Sequence, residues 1–324
     1  MKAIVYKEYG SPDVLQFMEV EKPAPKEDEV LVKVFAVSVN AADLHLLRGD
    51  PLLFRIQSGL RKPKYPIMGS DIAGRVDAVG KDVKQFQPGD EVFGDISGSG
   101  WGGFAEYASA SEGSLVRKPA NLTFEHASAV PMAAVTALQG LRKGMIQPAQ
   151  KVLVVGASGG VGTFAVQIAK SFGAEVTAVC STKKMEMVRS IGADHVIDYT
   201  QQDFAKNGQQ YDLILAVNGD RSISDYRRVL APKGTYVMSG GSMAQMIQAM
   251  FLGPWYSKAG GQKMGNLLAK PNTQDLTFIK DLLEAGKVIP VIDRCYPLRE
   301  TAKAVRYLEE GHAMGKVVIT IAEV

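Results

Sequence analysis

Cysteine is scarce in this chain: two in 324 residues, Cys180 and Cys295. Two cysteines allow no disulfide framework beyond a single bridge, and these two stand in no metal-binding spacing. A reducing compartment, the cytoplasm, is the expectation. Long apolar runs are missing as well. No uninterrupted stretch reaches the roughly 18 residues needed to cross a bilayer, so no membrane span is expected. The first residues, MKAIVYKEYG, already alternate like a strand, and no cleavable signal is expected ahead of them. Nor is there an excess of one charge. The formal net charge is +3, unlike the strong basic patch that marks nucleic-acid binding, and no nucleic-acid partner is expected. Low-complexity tracts and internal repeats are also absent.

What is present is ordinary for a soluble globular protein: 46% hydrophobic and 22% charged residues. The length predicts about two domains, with enough chain to bury a real core. Thirty-three glycines point to many turns.

Two grammars divide the chain. Up to about residue 120, short β-rich runs such as KAIVY, EVLVKVFAVSVN, DIAGRVDAVG and DEVFG are bounded by Gly, Pro or Asp. This spacing predicts a small β-barrel or sandwich. It is interrupted by an irregular basic insert, LLRGDPLLFRIQSGLRKPKYP. After Pro119, TFEHASAVPMAAVTALQGLRKG reads as helical, with Thr123 as its N-cap. Strands and helices then alternate, which implies crossovers and a parallel sheet. VLVV and LILAV are apolar throughout, as strands covered on both faces should be. ISDYRRVLAPKG reads as a helix, and TQDLTFIKDLLEAGK as an amphipathic one with Leu276, Ile279, Leu282 and Leu283 on one face. The last 35 or so residues hold strand–helix–strand patterns that periodicity alone assigns to neither part.

The run GASGGVG, Gly156–Gly162, lies between the strand VLVV and a helix beginning near Val161. A glycine loop placed there permits a tight turn and a close backbone approach. The free N–H groups and the dipole of the helix start can then hold a pyrophosphate. The spacing is Gly156-x-x-Gly159-x-x-Gly162, with Gly160 and Val161 between, rather than the commoner G-x-G-x-x-G. Within a strand–helix–strand unit it predicts a dinucleotide site; the alternative is a structural turn with no ligand. The next strand, EVTAVCSTKK, ends without the acid that grips a ribose hydroxyl in NAD sites. Ser181, Lys183 and Lys184 follow instead and suit a 2′-phosphate. NADPH is therefore expected over NADH. The competing view is that the lysines only solvate the next helix, beside the unfavourable positive end of its dipole. Asn218, and Gly240, Gly241 and Ser242, fall at the carboxyl ends of later strands, where ligands of α/β sheets collect.

The segments SVNAADLHLLRG, GSDIAGRVDAVGKDVKQFQPGDEVFG, GGFAEYA, VPMAAVTALQGL, VLVVGASGGVGTFAVQIAK, GADHVIDY and HAMGKVVI together resemble the medium-chain dehydrogenase/reductase superfamily. The resemblance is to its zinc-free, zeta-crystallin-like NADPH:quinone oxidoreductase branch, and it spans essentially the whole chain. It implies a GroES-like domain from residues 1–122 and 288–324 and an inserted Rossmann dinucleotide-binding domain over 123–287. It also implies a homodimer or homotetramer. By the same resemblance Thr136 touches the nicotinamide amide, Tyr199 helps seat the 2′-phosphate and Lys316 lies near the cofactor. Each has a plain alternative: a helix threonine, strand-end packing, a solvated lysine. Asn40 is implied to lie near the nicotinamide and to donate to a substrate carbonyl, unless it merely caps the next turn. Asp43 reads as a helix N-terminal carboxylate, and His45 as either core or pocket lining.

The departures from the zinc enzymes of that superfamily matter. Asn40 stands at their first zinc cysteine and Ser70 at their histidine, and the four-cysteine loop is missing. Amide and hydroxyl oxygens are poor zinc ligands beside thiolate and imidazole, so no zinc is expected. Without a Lewis acid to polarise an alcohol, the easier chemistry is hydride donation to an electron-poor acceptor. A small lipophilic electrophile, a quinone or an α,β-unsaturated carbonyl compound, is the expected partner. An enoyl-thioester reductase and a low-turnover dinucleotide-binding protein are the rival readings. The methionine-rich stretch 243–258, with Phe251 and Trp255, is a candidate pocket wall, peripheral membrane contact or interface.

Overall fold

The computed structural model describes residues 1–52, 54–219, 221–241, 248 and 261–321. The expected site residue Ser242 and almost all of the methionine-rich stretch 243–258 lie outside the described residues. The chain begins with β1 (Lys2–Val5), β2 (Gln16–Glu19), β3 (Glu29–Val39), α1 (Ala41–Arg48), α2 (Phe54–Ser58), β4 (Asp71–Val79), β5 (Glu91–Asp95), β6 (Tyr107–Ser111), β7 (Leu115–Arg117) and α3 (Phe124–Ser128). An alternating series follows: α4 (Pro131–Lys143), β8 (Lys151–Val155), α5 (Gly160–Ser171), β9 (Glu175–Cys180), α6 (Met185–Ser190), β10 (His195–Asp198), β11 (Tyr211–Ala216), α7 (Ile223–Val229), β12 (Leu230–Met238) and β13 (Lys263–Asn266). The last elements are α8 (Thr273–Glu284), β14 (Ile292–Pro297), α9 (Thr301–Glu309) and β15 (Lys316–Thr320).

These elements form two compact units. The first is Met1–Met132 with Pro271–Glu284 and Pro290–Val324; the second is Ala133–Lys270 with Ala285–Ile289.

The first unit is organised by β3. Its eleven residues are too long for one partner, so it pairs with β4 along its length, with β6 at its start and with β15 at its end, all antiparallel. Register shifts between Leu31 and Val32 and between Val34 and Ala36 bend it. The sheet order is β14-β15-β3-β4-β5-β7, with β6 also on β3. Val30, Val32, Val34, Leu46, Met68 and Ile72 fill the core beneath it. The pairing of Val317 with Val39 brings the chain's end back onto its beginning.

Two segments placed in the nucleotide domain by the 123–287 boundaries pack instead with this unit. Thr123 does cap α3, its hydroxyl accepting from His126 N–H at 3.3 Å, and the Phe124 ring stacks on Phe35 of β3 at 4.6 Å. Pro131 then starts a separate helix, α4, so the single expected helix is two. Farther on, α8 buries Leu276, Ile279 and Leu283, and Asn121 donates its side-chain amide to Leu283 O at 3.0 Å.

The second unit is a six-stranded sheet in the order β10-β9-β8-β11-β12-β13, parallel throughout. This is the doubly wound arrangement, reversing direction between β8 and β11. Leu153, Val155, Ile214 and Ala216 of those two central strands are buried, as their unbroken apolar runs require. Tyr226 of α7 lies between the Phe204 and Tyr236 rings, at centroid distances of 5.7 and 4.8 Å. The helix expected to continue through LAPKG stops at Val229. Pro232 has no N–H to continue it, and Leu230–Met238 is strand β12.

Candidate functional site

Each unit gathers polar groups of its own. In the α/β unit they collect at the carboxyl ends of the strands, around the reversal point. β8 runs into Gly156, whose φ of +82° is open to glycine at little cost. A Cβ there would stand 3.0 Å from Asn218, just past β11. Gly162, in the first turn of α5, is held tighter still: a Cβ would meet Gly156 O at 2.1 Å. Gly159, the N-cap residue, is different. Its nearest neighbour would be 3.7 Å away, so the loop is open on that side. The first-turn N–H groups of Gly160, Val161 and Gly162 have no acceptor within a helix. They form the positive end of a twelve-residue dipole. A pyrophosphate fits this cradle.

The other expected residues of this unit are brought to the same sheet edge. Gly241 bridges to Gly219, and a Cβ on Gly240 would meet Val217 O at 2.3 Å. Gly144 and Gly140 pack on Leu213 and Leu215 of β11, so α4 runs antiparallel to that strand. Thr136, one turn before Gly140, continues the same face toward the strand's carboxyl end. Past β9, Ser181 begins a 3-10 turn carrying Thr182, Lys183 and Lys184, and Lys183 is exposed. Tyr199 is 57% exposed and tied to β9 through its N–H to Cys180 O at 3.1 Å.

Sequence reasoning missed Asp198 here. β9 ends without an acid, but Asp198 at the end of β10 sits in register with Cys180. Its carboxylate accepts from the Thr182 hydroxyl and from both the hydroxyl and N–H of Thr200. The Thr182 bond, foremost, holds it below the usual carboxylate range. Asp198 thus braces the turn that presents the two lysines. Its signal was visible: an acid at the carboxyl end of a parallel strand.

In the β-rich unit the polar groups are buried side chains. Register sets Ser38, Asp71 and Asp95 side by side on β3, β4 and β5. Asn40 follows β3 and is 6% exposed; Lys316 opens β15 and is 3% exposed. Asp43 does what a helix N-terminal carboxylate should: it accepts from Asn40 N–H at 2.8 Å, and also from Gly69 N–H at 3.1 Å. Asn40 Nδ2 donates to Asp71 Oδ2 at 3.0 Å, and Lys316 Nζ donates to Asn40 Oδ1. Lys316 Nζ stands 3.8 Å from Asp71 Oδ2. Burial pushes the Asp43 carboxyl up to about 7. It also raises Asp71 against the pull of Lys316, raises Asp95, and lowers Lys316. The Ser70 hydroxyl is buried without a partner. His45 is not part of the core: it is exposed, and its Nδ1 lies 2.9 Å from Asp50 O.

This donor set does not suit zinc. Asn40 Oδ1 is taken by an ammonium, Ser70 offers a hydroxyl, and among the described residues no thiolate or imidazole joins them. Among the described residues, no group of three or more His, Cys, Asp or Glu is arranged to hold a metal ion.

Three family descriptions match the chain: "Alcohol dehydrogenase GroES-like domain" over residues 26–120, "Alanine dehydrogenase/PNT, C-terminal domain" over 124–218, and "Zinc-binding dehydrogenase" over 191–319. The chloroplast envelope quinone oxidoreductase homolog of Arabidopsis thaliana is 34% identical over 98% of both chains. The chain belongs to the medium-chain dehydrogenase/reductase superfamily. Within that superfamily it is also similar to the NADPH-dependent alkenal/one oxidoreductase of Arabidopsis thaliana, at 33% identity over 98% of this chain and 79% of that protein. Among solved structures, the quinone oxidoreductase from Coxiella burnetii superposes with a TM-score of 0.88 at 28% identity, covering 99% of both chains. CurK enoyl reductase gives 0.86 at 27%, again over 99% of both. The name of the third matching family describes zinc binding; Asn40 and Ser70 offer an amide and a hydroxyl, poor zinc ligands beside thiolate and imidazole.

Proposed function

We propose that this protein is a zinc-independent, NADPH-dependent oxidoreductase that reduces quinones or α,β-unsaturated carbonyl compounds. The observation that carries the reading is near full-length similarity to relatives named for those two activities, in a chain whose matching positions lack metal ligands. Bound, the nicotinamide supplies a hydride. The chain's own residues bind and orient. Amides of Gly160–Gly162 take the pyrophosphate, and Ser181, Lys183, Lys184 and Tyr199 take the 2′-phosphate. Thr136, Asn218, Gly240 and Gly241 line the nicotinamide side, Ser242 is carried with the same assignment, and Lys316 stays with Asn40. Asn40 donates to the acceptor's carbonyl oxygen, where negative charge develops as the β-carbon receives hydride. The resulting enolate then takes a proton.

NADPH oxidation followed at 340 nm with 1,2-quinones, 1,4-quinones, enals, enones and an enoyl-thioester tests this. Turnover of quinones or enones supports it. Turnover of the thioester alone favours an enoyl reductase, the reading to which the CurK similarity lends weight. Bound NADPH without turnover favours a binding protein. Stoichiometric zinc in the purified protein would refute the metal-free mechanism. A cytoplasmic homodimer or homotetramer completes the proposal; cell fractionation and light scattering test it.

A further inference from the structure

Asn40 is held by a cation on one side and an anion on the other. Lysine only donates, so the amide oxygen must face Lys316; the carboxylate only accepts, so the amide nitrogen must face Asp71. The orientation of this side chain therefore has one solution. Lys316 Nζ also reaches Val39 O at 3.4 Å. Asp71 is fixed in turn by Met132 N–H, 3.1 Å from each of its oxygens, and by the Ser38 hydroxyl at 3.3 Å. With cation and anion 3.8 Å apart, the Asn40 amide bridges them.

The two amide hydrogens of Asn40 are not equivalent. One goes to Asp71 at 3.0 Å; the other reaches Ser38 O only at 3.4 Å. The second is weakly used and can pass to an incoming oxygen at small cost. An ammonium on the amide oxygen also draws charge from the nitrogen and strengthens both N–H donors.

We propose that Lys316 is a positioning residue: its ammonium locks and polarises Asn40, leaving the N–H now on Ser38 O as the donor to the acceptor's carbonyl. This rests on the oxidoreductase reading above, and it gives Lys316 a task other than cofactor contact. A buried lysine that merely balanced Asp71 would serve stability alone, and the two roles separate experimentally.

The test uses the full chain as Lys316→Met, Lys316→Arg and Lys316→Met/Asp71→Asn. It reads melting temperature, kcat and KM with an enone that the wild type reduces, and the Asn40 side-chain amide signals of protein labelled with 15N-asparagine. Lys316→Met should lower the melting temperature and reduce kcat by roughly a hundredfold, with the KM for NADPH little changed. The double variant, freed of its unpaired buried charge, should regain melting temperature but not kcat. Lys316→Arg should recover part of kcat. The Asn40 amide protons should exchange slowly in the wild type and fast in Lys316→Met. Recovery of kcat in the double variant, a raised NADPH KM with kcat kept, or unchanged Asn40 signals would overturn the proposal. Should the wild type reduce no acceptor, the functional reading falls. The Asn40 signals then decide the lock by themselves.

Discussion

In the α/β unit, the proposed pyrophosphate cradle is made of backbone amides from one loop of seven residues, Gly156–Gly162. In the β-rich unit, the polar cluster is made of side chains drawn from five separate stretches of chain, at Ser38–Asn40, Asp43, Ser70–Asp71, Asp95 and Lys316. The first cluster needs little but the absence of side chains: two of its glycines are required by contacts of 3.0 Å or less. The second needs its partners, because Lys316 and Asp71 are both buried and face each other across 3.8 Å. A backbone site tolerates sequence drift around it and fails when a Cβ intrudes. A buried ionic site tolerates shape changes better than the loss of one partner.

The strongest way to break this contrast is Asp71→Ala. It strands the Lys316 ammonium, leaves Asn40 Nδ2 and Met132 N–H without their acceptor, and opens a small void. Removing one partner of a buried pair costs about 3–5 kcal/mol, and urea unfolding should show a loss of that order. A loss under about 1 kcal/mol would mean that water or another group already compensates the lysine.

Second comes a pair of glycines in the other unit. Gly162→Ala places a methyl 2.1 Å from Gly156 O, a backbone atom that cannot turn aside. A destabilisation of about 3 kcal/mol is expected, together with loss of cofactor binding. Gly159→Ala has 3.7 Å of clearance and should fold within about 0.5 kcal/mol of the wild type, while still binding NADPH more weakly because its methyl occupies the open side of the cradle. Thermal unfolding and fluorescence titration separate the two effects. Equal destabilisation by both would show that the loop's shape, not its openness, is what its glycines serve.

The same difference explains what could be read in advance. The α/β unit was legible because its signals are local. Apolar runs gave the central strands, and glycine spacing gave the tight turn after β8. Strand-end positions put Asn218 beside Gly156 and Gly240 beside Val217, as the structure has them. The β-rich cluster was not. Asn40 and Lys316 were singled out by resemblance, but nothing local tells that residue 316 donates to residue 40. Only the pairing of β15 with β3 does that. Asp95 was not noticed at all, for it meets Asp71 only through strand register. The placing of α8 in the nucleotide domain differs from the structure for a related reason. Its periodicity foretold a buried face, but not which unit would cover it.

Third in size is cofactor choice. Lys183→Ala and Lys184→Ala should each weaken NADPH by roughly tenfold or more and NADH far less, as expected for loss of a charge-assisted bond. Isothermal titration with both cofactors measures this. Asp198→Ala sharpens the point, since Asp198 touches the turn through Thr182 rather than presenting its own charge outward. It should erode the preference for NADPH without creating one for NADH. A stronger preference for NADPH in that variant would mean that Asp198 repels the phosphate directly.

The narrowest effect expected is the pH dependence between about pH 5 and 7.5, which belongs to the buried cluster. Asp43 has its carboxyl raised from 3.8 to about 7, chiefly by burial, against the pull of the Asn40 and Gly69 N–H groups. Between those values the folded chain holds a proton that the unfolded chain has released. Stability should therefore be fully present below pH 3.8 as far as this group is concerned, and should fall as pH rises toward 7. Carboxylates whose values are lowered, Asp194 and Asp198 among them, act in the opposite sense but only at the acid end, near their ordinary range. Between pH 5 and 7.5 the Asp43 contribution stands clear of theirs. Asp43→Asn, which keeps an oxygen for the two backbone donors and cannot ionise, should flatten the decline in melting temperature over that window. An unchanged slope would move the buried proton off Asp43 and onto Asp71 or Asp95, whose carboxyls share the same enclosure with Lys316.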